Sequence, residues 1–336
     1  KQEMQTPDLN ISWNSPDIEP DLETMVNNAI KHAESLECFC EKLPTLAHNF
    51  GDRGMPMILA SYLGGEAKFT PETVWIDPVI KDWNTFEIIF NEKNLWFKRS
   101  FDFYKLALKK SCDNSFPLLP VLPDFGDFLT VFSLLRGIDN LLLDLLENKE
   151  MVLEARDKFL KVWPIYHKKF WELYSSKFPG DLSWLIWAPG KTYGCQCDFS
   201  TMISPKMFIE FVVPEIEIMS KYLDYMIWHL DGPEEIKHLD ILLELPQIKA
   251  IQWVPGAGKP PAASPEWIGI LKKIKNKGRR LWLDAYNEKE IEILIRELGP
   301  EGVFIQGGFT GKTKEEAENF ISWVNKISKE SRKKVI

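Results

Sequence analysis

Tyr225-Met226-Ile227-Trp228-His229-Leu230-Asp231-Gly232-Pro233 is an apolar strand pattern that stops abruptly on His, Asp, Gly and Pro. Side chains alternate along a strand, so Ile227, His229 and Asp231 share one face while Trp228 and Leu230 share the other. Two groups able to hold a metal or move a proton are thereby delivered to one end of a sheet, where sites in α/β proteins tend to lie.

Similar apolar runs occupy residues 118–124, 184–188, 250–254, 281–285 and 303–306, each ending in Gly, Pro, Asp or Asn. Helical spacing fills the intervals at 128–146, 149–176, 205–223, 233–243, 265–277, 288–298 and 314–328. Proline opens three of these helices, at Pro205, Pro233 and Pro265, where its missing N–H is best tolerated. With earlier strands expected at 57–61 and 74–76, the strands come to about the eight of a (β/α)8 TIM barrel. A doubly wound open sheet is disfavoured, since no Gly-x-Gly-x-x-Gly turn follows an early strand. Residues 1–55 read as an N-terminal helical arm, with Pro7, Pro16 and Pro20 ahead of helical spacing from Asp21, and residues 56–336 as the barrel.

The 336 residues carry 45% hydrophobic side chains, 13 tryptophans and 27% charged residues, a balance that supplies ample core for one large folded domain. A formal charge of −8 offers no basic field for a phosphate backbone, which excludes nucleic acid as an expected partner. No apolar run reaches the roughly 20 residues of a membrane span, and no basic-then-apolar leader opens the sequence, so a cytoplasmic location is expected. Five cysteines, as the pairs Cys38/Cys40 and Cys195/Cys197 plus Cys112, fit a reducing compartment better than a disulfide framework.

His229 and Asp231 are the foremost candidates for catalysis or metal binding. Cys197, in Cys195-Gln196-Cys197-Asp198, is a candidate third ligand, because zinc accepts thiolate, imidazole and carboxylate donors; Asp198 beside it is a candidate catalytic carboxylate. Gln252 and Trp253, Asp284 and Gln306 stand at the ends of neighbouring strands as candidate substrate contacts. Trp187, with Trp253 and Trp282, could stack on a flat or cationic ligand, although tryptophan at such positions more often fills core. His238 and Asp240 repeat His-Leu-Asp inside a helical pattern, where positions two apart do not share a face. The run from Gly307 to Thr313 fails the phosphate-loop pattern by one position, since Gln306 stands where its first glycine belongs; it reads as a glycine-rich turn.

Leu135-Arg136-Gly137 with Asn140-Leu-Leu-Leu-Asp-Leu, Asp198-Phe-Ser-Thr-Met-Ile-Ser-Pro-Lys-Met-Phe, Pro214 and the strand ending at His229 together resemble the uroporphyrinogen decarboxylase superfamily. That group joins the decarboxylase to corrinoid-dependent, zinc-containing methyltransferases. The resemblance runs from about Pro56 to Ser328 and is most specific at Ile203-Ser204-Pro205, Phe208 and Pro214. It implies a TIM barrel, zinc as cofactor and a corrinoid protein as partner. In the methyltransferases a His-x-Cys at this strand end supplies two zinc ligands; here His229 matches and Asp231 replaces the cysteine. The further cysteine near the last strand is replaced by Gln306-Gly307-Gly308. The arginine-rich amino-terminal segment of the decarboxylases has only Arg53 as a counterpart, so a divergent member with a small substrate is expected.

Three readings stay open on the sequence. The first is a metal-assisted methyltransferase, in which zinc on His229, Asp231 and Cys197 acts as Lewis acid. The second is a metal-free decarboxylase or lyase on a small or tetrapyrrole-like acid, in which Asp198 and Asp231 stabilise a positive intermediate and His229 handles the proton. The third is a non-catalytic small-molecule-binding barrel.

Overall fold

The computed structural model describes residues 21–34, 45–46, 57–69, 74–113, 119–184 and 186–332. The proline-rich arm, Cys38, Cys40 and Arg53 lie outside them. The chain divides into two compact units, residues 1–193 with 210–224, and residues 194–209 with 225–336.

The first unit is largely helical. Its elements are α1 (Leu22–Glu34), β1 (Thr45–Leu46), α2 (Leu59–Tyr62), β2 (Glu66–Phe69), β3 (Val74–Asp77), α3 (Leu95–Asp113), β4 (Leu119–Pro120), α4 (Phe128–Arg136), α5 (Ile138–Glu147), α6 (Lys149–Tyr174), β5 (Asp181–Ser183) and β6 (Ile186–Ala188). Helix α1 lays Met25, Val26, Ile30 and Ala33 into the core, and Lys110 Nζ of α3 reaches Glu23 and Asn27, each at 2.8 Å. Residues 57–61, expected as a strand, instead form a turn and α2, because a four-residue apolar run that is buried all round suits a helix as well as a strand. The expected helix over 128–146 breaks at Gly137, whose φ of 89° ends α4 and starts α5. The run 184–188 is no single strand: the chain turns at Trp184, φ 52°, and β6 returns antiparallel on β5.

Into the second unit the chain passes within β7 (Thr192–Cys195) and later re-enters it at β8 (Tyr225–Asp231); between them come α7 (Pro205–Met207) and α8 (Val213–Met219). A π-helical turn at Phe208–Val212 interrupts the helix expected over 205–223. Then follow α9 (Leu239–Glu244), β9 (Ile248–Val254), α10 (Pro265–Asn276), β10 (Arg280–Ala285), α11 (Glu288–Leu298), β11 (Val303–Gly307) and α12 (Lys314–Arg332). The sheet has the order β11-β10-β9-β8-β7, and β8 to β11 run parallel. The remaining described strands pair as β1-β4, β2-β3 and β5-β6, so the described pairings make an α/β fold around a five-stranded sheet rather than a closed ring of eight.

Register fixes what each face of this sheet presents. His229 aligns with Gln252, Gln252 with Trp282, and Trp282 with Phe304. Two residues further along, on the same face, Asp231 aligns with Val254 and Asp284 with Gln306. The opposite face carries Trp228, Leu230, Ile251, Trp253, Leu281 and Leu283, all buried. Helices α9, α10 and α11 bury Leu239, Leu242, Trp267, Leu271, Ile274, Ile291, Leu294 and Ile295, and Trp267 packs edge-on against Trp253 of that apolar face. Each such side chain contributes about 1.5–3 kcal/mol by leaving water, and this apolar layer anchors the register on which the polar face depends.

The glycine-rich turn after β11 is closed by its own chain. Glu316 accepts hydrogen bonds from the backbone N–H of Lys312 (2.7 Å) and of Thr313 (2.9 Å) and from the Thr313 hydroxyl, and the Glu316 N–H donates to Thr313 Oγ1. This reciprocal cap sets a carboxylate where a phosphate would have to sit. Thr313→Ala is expected to cost about 1 kcal/mol of stability, measured by urea unfolding, and ATP is expected to leave the unfolding curve of the unaltered protein in place.

Candidate active site

Strand β8 carries His229 and Asp231 to its carboxyl end, where both are partly accessible. Gly232 then takes φ 82°, which a side chain would oppose, and its N–H donates to the Val254 carbonyl at 2.8 Å. Pro233 opens a 3-10 turn over Pro233–His238. The turn folds Glu235 back on the strand, where its Oε2 accepts the Asp231 N–H at 3.2 Å.

His229 Nδ1 lies 2.8 Å from Gln252 Oε1. An amide oxygen can only accept, so Nδ1 carries a hydrogen, and in the neutral ring it is Nε2 that bears the lone pair of a base or a ligand. In the same row the Trp282 indole N–H donates to Gln306 Oε1 at 3.2 Å, which fixes the Gln306 amide beside Asp284.

Asp198 begins a 3-10 turn, Asp198–Met202, and stays accessible although protein crowds it on several sides. Burial raises its carboxyl above the usual range and Asp231 adds to the rise, while His229 opposes it. Burial likewise raises Asp284, again opposed by His229, and Asp284 Oδ1 is buried without a hydrogen-bond partner. Both aspartates therefore feel the same imidazole. Glu235 is 1% exposed, and burial, reinforced by Asp198, pushes its carboxyl up to about 9. It is a neutral acid at pH 7, set behind the Asp231 backbone.

The turn bearing Asp198 is clamped to the turn bearing Glu235. His238 Nε2 lies 3.0 Å from the Ser200 carbonyl and Lys237 Nζ donates to the Thr201 carbonyl at 2.7 Å. The His238 ring stacks on Phe208 at 4.3 Å, and burial lowers its pKa, so it stays neutral and donates through Nε2. Asp240, exposed, pairs with Lys273 at 2.5 Å and takes no part. His238 thus has a positioning role that its sequence spacing did not disclose, and Glu235 was hidden as one of two acids after a proline.

Of the expected substrate contacts, Gln252, Asp284 and Gln306 share the face of His229 and Asp231. Trp253 does not: it is 0% exposed on the opposite face, edge-on against Trp267 at 5.2 Å, and is core. Trp187 is 41% exposed on the β5–β6 hairpin of the first unit, outside the unit that holds His229.

Zinc would require Cys197 to join His229 and Asp231. Cys197 is fully buried just ahead of Asp198, and among the described residues no group of three or more His, Cys, Asp or Glu side chains converges closely enough to hold a metal ion. His229, Asp231 and Cys197 therefore do not assemble the three protein ligands of catalytic zinc, and this donor set does not fit the expected centre. Among the described residues no helix is long and apolar enough to cross a membrane.

No family model matches the chain, and no curated protein does. Among solved structures it is similar to a methyltransferase from Methanosarcina mazei, with a TM-score of 0.57 and 12% identity, over 90% of this chain and 84% of that one. At that identity the similarity establishes an α/β fold of the same kind.

Proposed function

We propose that the chain is an enzyme that moves a methyl group between a small substrate and a thiol, with His229 as the base that takes the thiol proton. The observation that carries this is the His229–Gln252 pair, which holds the imidazole by Nδ1 on the sheet face that also carries Asp231 and Asp284. Methyl transfer, rather than another acid–base reaction, is supported by the methyltransferase of similar fold. The fold belongs to the proposal as a (β/α)8 barrel: segments β1, β4, β5 and β7 to β11 match the eight strands that fold needs.

In the step itself the S–H proton passes to His229 Nε2 as the sulfur electron pair forms the S–CH3 bond. The bond from carbon to its former heteroatom breaks, and its electrons leave with that atom. Asp198, Asp231 and Asp284 stabilise the imidazolium that results, a charge that develops only as the reaction proceeds. Decarboxylation is the weaker reading, because a carboxylate-rich face with no lysine or arginine in either row repels an acid substrate.

Incubation with CD3-labelled methyl donors and a small thiol, followed by mass spectrometry of the thioether, tests the proposal. The donors should include a methylated corrinoid protein, the partner the sequence resemblance implies. Labelled thioether that depends on His229 is the expected result, and its absence with every donor refutes the reading. Since among the described residues His229, Asp231 and Cys197 do not converge on a metal site, turnover is expected to survive exhaustive chelation within about twofold, on the order of 0.4 kcal/mol of barrier. Loss of activity that returns with added zinc would refute the metal-free form.

A further inference from the structure

We propose that the first unit carries a second reactive centre, in which the Tyr222 hydroxyl is a nucleophile for activated acyl groups, with His167 as its base and Asp181 orienting that base. All three residues belong to the first unit, whereas His229 belongs to the second. Helical spacing along α6 puts Trp163, His167, Phe170 and Tyr174 on one buried face. Phenylalanine would pack as well against Trp163, yet this position holds a histidine that meets a polar group at each ring nitrogen.

His167 and Asp181 are both 0% exposed. His167 Nδ1 lies 3.1 Å from the Tyr222 hydroxyl, and Nε2 lies 3.3 Å from Asp181 Oδ2, off the line of a hydrogen bond. Asp181 is itself fixed, because the Tyr174 hydroxyl donates to Oδ1 and the Thr192 N–H donates to Oδ2 at 2.9 Å. An ionised carboxylate only accepts, so the neutral ring turns an Nε2 hydrogen toward Asp181 and an Nδ1 lone pair toward the Tyr222 hydroxyl. Hydroxyl, imidazole and carboxylate in that order are the parts of an activated nucleophile, and catalytic pairs commonly tighten only when substrate arrives. The imidazole is held in place by stacking on Trp163 at 5.3 Å and by the edge-on Tyr222 ring at 5.3 Å.

Tyr222 is half-buried in the turn that follows α8. Lys191 is tied to the same turn: its N–H donates to Asp224 Oδ2 and its carbonyl accepts the Asp224 N–H, each at 2.9 Å. Its Nζ stands 4.4 Å over the Tyr222 ring, a cation beside the place where an acyl oxyanion would form. Burial raises the Tyr222 phenol above its usual range, so it keeps its proton at neutral pH and its reactivity depends on His167. In the step, the O–H proton passes to His167 Nδ1 as the phenol oxygen bonds to the acyl carbon. The bond from that carbon to the leaving oxygen or sulfur then breaks, its electrons go with the leaving atom, and the His167 proton follows them.

The full chain treated with p-nitrophenyl acetate at pH 7.5, with acetylated tyrosines located by peptide mass spectrometry over time, tests the inference. Tyr286, 70% exposed, is the internal reference, since accessibility alone would have it react first. Tyr222 is expected to be acetylated about tenfold or more faster than Tyr286, within the usual contribution of a positioned base. His167→Gln should remove that advantage and leave the Tyr286 rate unchanged. Tyr286 reacting as fast as Tyr222 or faster, or an unchanged Tyr222 rate in folded His167→Gln, overturns the proposal. If the variant fails to fold, the order of the two tyrosines in the unaltered protein still decides.

Discussion

His229→Ala is expected to lower turnover by about 10²–10⁴-fold, the usual contribution of a positioned general base, while the protein still folds. The imidazole is only partly buried, and its hydrogen bond to Gln252 lies on the polar face of the sheet rather than in the apolar layer. Its removal should therefore leave the cooperative unfolding transition intact. The loss should fall on kcat and leave KM for the methyl donor nearly unchanged, because proton removal from the thiol matters only as the transition state forms. Added imidazole should restore part of the rate in the alanine variant, which a packing residue would not permit. Gln252→Leu should cost less, about tenfold, since losing one hydrogen bond of about 1–1.5 kcal/mol frees the ring to turn or change tautomer. Full activity in His229→Ala, or a loss that no amount of imidazole rescues, would remove the base from the mechanism.

The strands around this histidine are the part of the fold that was most legible in the sequence. Strands β8 to β11 lie where the apolar runs end in Gly, Asp or Pro, and α10 to α12 follow the helical spacing closely, because both follow from periodicity against one apolar layer. Failures came where periodicity is silent. Residues 57–61 are buried on all sides, so a helix and a strand leave the same apolar pattern. The breaks at Gly137 and Trp184 depend on positive φ at single residues, which no periodic count detects.

The candidate site was legible in proportion to its dependence on alternation along strands. His229, Asp231, Gln252, Asp284 and Gln306 fall on one face by parity alone, once the register is known. Trp253 was misjudged because a strand-end position says nothing about which face a residue takes; parity with Leu230, its aligned partner, would have placed it in the core. Glu235 and His238 lie in a 3-10 turn with no periodic signature, and a glutamate after proline ordinarily reads as a solvated helix start. What makes Glu235 unusual is tertiary, namely its burial and the nearness of Asp198.

That burial has a measurable consequence in the pH dependence of stability. In the unfolded chain Glu235 ionises near its ordinary value of 4.5, whereas in the folded protein it keeps its proton until about pH 9. Between these values the folded state binds one more proton than the unfolded state, so stability falls as pH rises and levels off above about 9. Its contribution is fully present below pH 4.5 and is lost across that window. At about 1.4 kcal/mol for each pH step beyond the ordinary value, the cost at pH 8 reaches at most about 5 kcal/mol. Glutamine keeps an oxygen for the Asp231 N–H and has no proton to lose, so Glu235→Gln should remove the slope. We expect the variant to match the wild type near pH 5 and to exceed it by about 1–3 kcal/mol at pH 8, measured by urea unfolding at several pH values. The raised carboxyls of Asp198 and Asp284 act in both proteins, so the difference between the two curves reports Glu235. Parallel curves with a constant offset would mean that Glu235 is ionised in the folded protein, and that the cluster carries one more negative charge than the neutral acid behind Asp231 allows.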